Sequence, residues 1–104
     1  MIYVNIGSNL KSKYGDRMQN IKLALKLLKL KGIDIIQTSS FYTSPSYPNK
    51  FLPKFLNLCA EIKSLHSPEK LIKIFKNIEK KIGRLNKARN SPRVCDIDII
   101  DFNN

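Results

Sequence analysis

Apolar residues in this chain repeat every second position in some segments and every third or fourth in others, and the order of these segments restricts the fold. Residues 2–6 alternate apolar and polar side chains, which predicts a strand. Residues 16–31 have helical spacing, with Asp16 suited to cap the helix N-terminus and Gly32 suited to end the helix. Residues 33–42 are rich in β-branched and aromatic side chains and predict a second strand.

The second half of the chain repeats the order of strand, helix and strand. Residues 55–63 alternate again and predict a third strand. Ser67 and Pro68 make a favourable helix start, Gly83 ends that helix, and residues 94–102 form the last strand. The resulting β-α-β-β-α-β order predicts an α+β, ferredoxin-like fold in which two helices cover one face of a four-stranded antiparallel sheet. Right-handed crossovers give the strand order fourth, first, third, second.

The length and composition of the chain limit its class. With 104 residues we expect one domain over 1–104. No apolar run is long enough for a membrane span, and the first strand lacks the pattern of a signal peptide, so we expect a cytoplasmic protein without a membrane partner. Cys59, Cys95 and His66 are too few for a disulfide framework or a zinc site, and we expect both cysteines in the core.

The net charge of +11 attracts anions, whether nucleic acid, membrane surface or nucleotide phosphates. A composition rich in Lys, Asn and Ile, as an AT-rich genome produces, explains the charge without an anionic partner, and we favour this explanation. A ferredoxin-like sheet that binds RNA has glycine and aromatic residues on its third strand, whereas residues 55–63 contain one aromatic residue and a carboxylate. We therefore expect no nucleic-acid partner.

Two carboxylates stand out in the last strand. Asp96 and Asp98 are two residues apart, so their side chains leave the same face of the strand about 6 to 7 Å apart. A divalent cation such as Mg²⁺, held by one or two carboxylates and by phosphate oxygens, relieves the repulsion between them. The alternative is a solvent-facing strand end, where such a pair costs little.

A basic segment precedes this pair. It contains Arg84, Lys87, Arg89 and Arg93, and arginine binds phosphate oxygens bidentately. A basic loop leading into a carboxylate pair suits a nucleoside triphosphate and its metal, although a solvated basic loop has the same composition. Glu79 lies one helical turn before this loop and is suited to accept from ribose hydroxyls, or else is a surface residue.

Asn57 is a polar residue in a strand where Leu56 and Leu58 flank it. Its amide offers donors and an acceptor, which suits the edge of a planar heterocycle. The alternative is that Asn57 holds the backbone of the neighbouring proline-containing loop. The Gly7-Ser8-Asn9 segment lacks the spacing of a phosphate-binding loop and predicts only a turn.

Five segments in this order carry a family resemblance over essentially the whole chain. They are Ile6-Gly7-Ser8-Asn9-Leu10; Ser40-Phe41-Tyr42 with Ser44-Pro45; Phe55-Leu56-Asn57; Ile78-Glu79 with Gly83-Arg84; and Pro92-Arg93 with Asp96-Ile97-Asp98-Ile99. The chain resembles the 6-hydroxymethyl-7,8-dihydropterin pyrophosphokinases, which transfer pyrophosphate from ATP to a pterin alcohol in folate synthesis. The last segment is the most specific of the five.

The resemblance implies a role for each candidate residue. Asp96 and Asp98 bind two Mg²⁺ ions that bridge the ATP phosphates and the pterin hydroxymethyl oxygen. Arg84 and Arg93 hold phosphates and stabilise the charge that moves to the departing AMP, with Lys87 and Arg89 in the same basic loop, and Glu79 contacts the nucleoside. In the pterin pocket, Asn57 and the backbone around Ser44 and Pro45 read the hydrogen-bonding edge, and Phe55 lines the wall.

Some positions depart from the family pattern. Family members usually continue for several dozen residues past the last strand, and that segment supplies a histidine, an arginine and an aromatic residue that close over the substrates. Residue 104 is the last here, Asn86 stands where the family often has arginine, and Ser91 replaces a glycine. We therefore expect weakened catalytic turnover. We expect the chain to be a monomer or a weak homodimer. The alternatives are a non-catalytic relative that still binds nucleotide or Mg²⁺ and, less so, a basic RNA-binding module.

Overall fold

The computed structural model describes residues 1–46, 51–83 and 93–102. Two helices and an antiparallel sheet make up an α+β fold, as the spacing of apolar residues predicts. The elements in chain order are β1 (Ile2–Ser8), α1 (Arg17–Leu30), β2 (Asp34–Thr38), β3 (Tyr42–Ser44), β4 (Phe55–Lys63), α2 (Pro68–Ile82) and β5 (Asp96–Phe102). None of the helices in the described ranges is long and apolar enough to cross a membrane.

Strand β1 lies in the middle of the sheet. It pairs antiparallel with β4 on one side and with β5 on the other, and β2 and β3 both pair with the far side of β4. The path β5-β1-β4-β2 confirms the predicted order, with the last strand beside the first.

The prediction of a single second strand over 33–42 is wrong, and the described residues form a sheet of five strands rather than four. β2 pairs with the C-terminal half of β4, whereas β3 pairs with its first three residues. Between them, Ser39 bonds Cys59 twice: its N–H donates to the Cys59 carbonyl at 2.8 Å, and its hydroxyl accepts from the Cys59 N–H at 2.9 Å. Because a side-chain hydroxyl takes the place of a backbone carbonyl there, the ladder is interrupted.

Both helices begin and end where the sequence indicates. The Asp16 carboxylate accepts from the Gln19 N–H at 2.9 Å, and the Gln19 side chain accepts from the Asp16 N–H, which is a capping box. The Ser67 hydroxyl accepts from the Lys70 N–H at the start of α2. Gly83 follows α2 with a φ of 122°, a conformation that costs glycine little.

The core lies between the helices and one face of the sheet. The apolar residues that face the core from α2 are Leu71, Ile74, Phe75, Ile78 and Ile82. In α1, Ile21, Ala24 and Leu28 are buried. Met18 is instead exposed, because Asn20 takes the inward position in the first turn of α1 and its amide donates to the Leu10 carbonyl at 3.0 Å.

The two cysteines differ in their positions. Cys95 is fully buried, as predicted. Cys59 is half-buried on the face of the sheet that the helices do not cover, so its assignment to the core is wrong. The reason is the alternation of β4: Leu58 and Ala60 point toward the helices, and the residue between them points away.

Candidate active site

The helix-free face of the sheet brings the predicted residues of two separate segments together. Gly7 of β1 lies directly opposite Asn57 of β4 and directly opposite Asp96 of β5. Residues directly opposite each other in a ladder share a face, so the Asn57 amide and the Asp96 carboxylate flank Gly7, roughly 10 Å apart across two strand spacings. Asp98 follows on the same face, opposite Asn5.

Arg93 lies beside the carboxylate pair. Its Nη1 atom is 3.5 Å from Oδ2 of Asp96, and both side chains are about a quarter exposed. The two backbone groups of Arg93 are held by Asn9: the Arg93 N–H donates to Asn9 Oδ1 at 2.6 Å, and the Asn9 N–H donates to the Arg93 carbonyl at 3.0 Å. The backbone of Arg93 is therefore held in place, and its guanidinium lies next to Asp96.

A cavity of about 340 Å³ lies between α2 and β5. Four predicted site residues line it together with one lysine, and these polar residues are Lys76, Glu79, Arg93, Asp96 and Asp98. The structure thus places the predicted nucleoside contact, the predicted phosphate ligand and the predicted metal ligands around one space. Lys76 was missed because its sequence context is that of an ordinary solvated lysine on a helix.

Glu79 is only 5% exposed, so its interpretation as a surface residue is wrong. Its Oε2 atom accepts a hydrogen bond from the Ile97 N–H at 2.8 Å. In the sheet path of the described strands, β5 is an outermost strand, and Glu79 supplies an acceptor for one of its backbone donors. The contact fixes α2 to the residue that separates Asp96 from Asp98, and a role toward a nucleoside stays a prediction.

Asn57 is buried, with 6% of its surface exposed, and its amide has three partners. Nδ2 donates to the Ser44 hydroxyl at 2.8 Å and, more weakly, to the Tyr42 carbonyl at 3.4 Å. Oδ1 accepts from Asn5 Nδ2 at 3.2 Å. Asn57 therefore has a structural role, because it holds β3, the strand that leads into the proline-containing loop, against β4. Asn57 also lies on the helix-free side that a flat ligand could reach.

The other predicted pocket residues lie around Asn57. Ser44 is half-buried at the end of β3, and the adjoining Pro45 is exposed. Phe55 is half-buried opposite Ser44 in the ladder. A Cβ atom placed on Gly7 would come within 3.4 Å of Phe55 Cδ1, so the aromatic ring borders the open space above Gly7.

Asn9 organises the site, although its local sequence context predicts only a turn. It is 3% exposed, and its Nδ2 donates to the Ser46 hydroxyl at 3.0 Å and to the Pro53 carbonyl at 3.1 Å. Through these bonds and those to Arg93, one side chain joins the segment around the predicted pterin pocket to the segment before the carboxylates. Partners this distant in sequence leave no local signal.

Three predicted residues, Arg84, Lys87 and Arg89, lie outside the described residues, so their phosphate-binding roles stay predictions. Within the described ranges, no group of three or more His, Cys, Asp and Glu side chains is arranged to hold a metal ion. The available donors are the pair Asp96 and Asp98 on one face. Such a pair fits Mg²⁺ that shares its coordination with phosphate, and it does not fit a metal held by protein alone.

Comparisons with known proteins identify the family. The family model described as 7,8-dihydro-6-hydroxymethylpterin-pyrophosphokinase (HPPK) matches residues 3–103. This chain belongs to the HPPK family. The matched region includes all the predicted site residues and agrees with the resemblance found in the sequence.

Relatives from several kingdoms align over nearly the whole chain. The 2-amino-4-hydroxy-6-hydroxymethyldihydropteridine pyrophosphokinases of Bacillus subtilis and Haemophilus influenzae are each 32% identical, over 97% and 98% of this chain. A mitochondrial folate synthesis bifunctional protein of Pisum sativum is 38% identical over 97%. The chain spans 59% and 62% of the bacterial relatives and 19% of the plant protein.

Proposed function

We propose that this chain transfers pyrophosphate from ATP to 6-hydroxymethyl-7,8-dihydropterin, giving AMP and the pterin diphosphate in folate synthesis. The observation that carries the proposal is the position of Asn57 and Asp96 on either side of Gly7. An amide suited to a heterocycle edge next to carboxylates suited to a metal–phosphate complex matches the needs of the two substrates. Membership of the HPPK family supports the same assignment.

The pterin pocket in this proposal is the helix-free face around Gly7. Asn57 reads the hydrogen-bonding edge of the heterocycle, and the Ser44-Pro45 segment and Phe55 form the walls. Gly7 matters because it has no side chain, so a flat ring can approach the backbone of β1 between Asn57 and Asp96.

The nucleotide in this proposal lies along Arg93, the carboxylate pair and the basic segment that contains Arg84, Lys87 and Arg89. Asp96 and Asp98 would hold Mg²⁺, two ions by the family resemblance, and the metal supplies charge neutralisation for the polyphosphate. Glu79 and Lys76 line the same cavity and are proposed to contact the nucleoside and a phosphate, respectively.

The reaction requires positioning more than covalent chemistry. The pterin hydroxymethyl oxygen attacks the β-phosphorus of ATP and loses its proton to solvent. The bond between the β-phosphorus and the oxygen bridging to the α-phosphorus breaks, and AMP leaves with that oxygen. Arg93 stabilises the charge developing on the leaving group. Its guanidinium has five N–H donors, and its ion pair within the described residues is a single 3.5 Å contact with Asp96, so donors remain for phosphate.

The proposal also includes the cellular compartment and the oligomeric state. Cys59 and Cys95 form no disulfide with each other, which supports a reducing compartment such as the cytoplasm. We propose a monomer or weak homodimer that acts on small molecules and has no nucleic-acid partner. Sedimentation of the purified chain over a tenfold concentration range tests the oligomeric state.

Product formation tests the proposed function. The purified chain is incubated with ATP and 6-hydroxymethyl-7,8-dihydropterin, with Mg²⁺ or with excess EDTA, and AMP and pterin diphosphate are quantified. We expect equimolar products that require Mg²⁺, a loss of at least about 100-fold in Asp98→Asn, and unchanged rates in the control Asp34→Asn, whose exposed carboxylate lies on β2. Nucleotide binding without product would instead establish the non-catalytic alternative.

A further inference from the structure

The Asn57 amide belongs to a closed ring of side-chain and backbone hydrogen bonds on the helix-free face. The Tyr42 hydroxyl donates to Asn5 Oδ1 at 2.7 Å, and Asn5 Nδ2 donates to Asn57 Oδ1 at 3.2 Å. Asn57 Nδ2 donates to the Tyr42 carbonyl at 3.4 Å, which closes the ring. The ring spans three strands, since Tyr42 lies opposite Asn57 in the β3–β4 ladder and Asn5 is on β1.

Tyr42 determines the direction of every bond in this ring. A backbone carbonyl only accepts, so the nitrogen of the Asn57 amide must face β3, and its oxygen must face β1. Asn5 must then turn its nitrogen toward Asn57 and its oxygen toward the Tyr42 hydroxyl, which donates. The carbonyl and the hydroxyl of one residue therefore impose the same orientation on both amides.

Cys59 also lies next to the Tyr42 hydroxyl. Its sulfur lies 3.4 Å from the Tyr42 hydroxyl and 3.6 Å from Asn5 Oδ1. The side-chain hydrogen bond with Cys59, with burial and the charge interaction with Cys59 as smaller causes, raises the pKa of Tyr42 to about 12. The hydroxyl therefore keeps its proton throughout the neutral range.

We propose that Asn5 and Tyr42 are positioning residues that lock the Asn57 amide in one orientation and so set the order of donor and acceptor that the site reads. The inference rests on the proposed function, in which Asn57 contacts the pterin edge. A ligand can use the second lone pair of Oδ1 and can share the hydrogen of the weak 3.4 Å bond, so that the Tyr42 carbonyl still orients the amide. An amide free to flip would accept the reversed order as well.

Ligand preference is the first test. Binding of 6-hydroxymethylpterin, and of its isomer with the 2-amino and 4-oxo groups exchanged, is measured by titration with the wild-type chain, Tyr42→Phe and Asn5→Ala. We expect both variants to lose the preference for the pterin by about tenfold, mainly through weaker pterin binding. The matched control is Tyr3→Phe, since Tyr3 is on β1 like Asn5 and its hydroxyl donates to Met1, outside the ring of Tyr42, Asn5 and Asn57.

The ligand-free protein provides a second readout. Hydrogen exchange of the Asn57 side-chain amide is followed by NMR, and Tyr42→Phe is expected to accelerate it severalfold while Tyr3→Phe leaves it unchanged. An unchanged exchange rate in Tyr42→Phe overturns the inference. If the wild-type chain binds no pterin, the proposed function fails, whereas wild-type pterin binding with an unaltered preference in both variants contradicts the positioning role alone.

Discussion

The carboxylate of Glu79 accepts a hydrogen bond from the backbone N–H of Ile97 at 2.8 Å, across the boundary between α2 and β5. Ile97 is flanked by Asp96 and Asp98, so this bond fixes the strand that carries both proposed metal ligands. Glu79 is therefore a buried acidic residue with a structural role in the site.

Two substitutions of Glu79 test its hydrogen bond to the Ile97 N–H. Glu79→Ala leaves the Ile97 N–H without this acceptor and empties space beside β5, so we expect the free energy of unfolding to fall by about 2 kcal/mol. Glu79→Gln keeps an oxygen acceptor and is expected to lose less than half as much. Urea denaturation of both variants measures the difference, and equal losses in the two variants would contradict the assigned bond.

Gly7 is predicted to be needed on the pterin side of the site and not on the nucleotide side. A Cβ atom at this position would lie 3.0 Å from Asn57 Oδ1 and 3.4 Å from Phe55 Cδ1. We expect Gly7→Ala to displace the amide and weaken pterin binding about tenfold while Mg²⁺-dependent ATP binding stays within twofold of wild type. Titration of each ligand separately checks this, and a variant with unaltered pterin affinity would show that the ring does not approach β1.

Asn9 is predicted to contribute more to stability than an exposed asparagine. Asn9→Ala removes bonds to Ser46, Pro53 and the Arg93 N–H, and it leaves that partly buried N–H without its acceptor. We expect a loss of about 2–3 kcal/mol in the free energy of unfolding. Asn77→Ala on the exposed side of α2 is the control and should stay within about 0.5 kcal/mol of wild type. Similar losses in the two variants would refute the role of Asn9.

The pKa of Tyr42, raised from 10.0 to about 12 mainly by its hydrogen bond with Cys59, predicts a pH dependence of stability. The folded state keeps the phenolic proton more tightly than the unfolded state, so the stabilisation is complete below pH 10 and is lost as pH rises toward 12. The difference in unfolding free energy between wild type and Tyr42→Phe should therefore shrink over that range. Denaturant titrations at pH 9 and pH 11 measure it, and a constant difference would contradict the hydrogen bond between Tyr42 and Cys59.

Much of the fold follows from local patterns in the sequence. Strict alternation predicts β1 and β4, and it places Asp96 and Asp98 on one face because the side-chain period of a strand is two. Caps such as Asp16 and Ser67 locate the helix starts from single residues and their neighbours. The sheet order then follows from crossover handedness.

What the sequence does not reveal depends on side chains that bond to distant backbone. The hydroxyl of Ser39 interrupts the second strand, and nothing near Ser39 in the sequence indicates that it bonds to Cys59. Asn9 looks like a turn residue, because its partners lie 37 to 84 residues away along the chain. Glu79 looks like a surface residue for the same reason, since its partner is on another element.

The central claim is that the two sides of Gly7 serve different substrates, and separate ligand titrations of two variants test it most directly. Affinities for 6-hydroxymethylpterin and for a non-hydrolysable ATP analogue with Mg²⁺ are measured in wild type, Asn57→Ala and Asp96→Asn. We expect Asn57→Ala to weaken pterin binding at least tenfold and leave nucleotide binding nearly unchanged, and Asp96→Asn to do the reverse. Loss of nucleotide affinity in Asn57→Ala, or unchanged affinity for both ligands in both variants, would contradict the account.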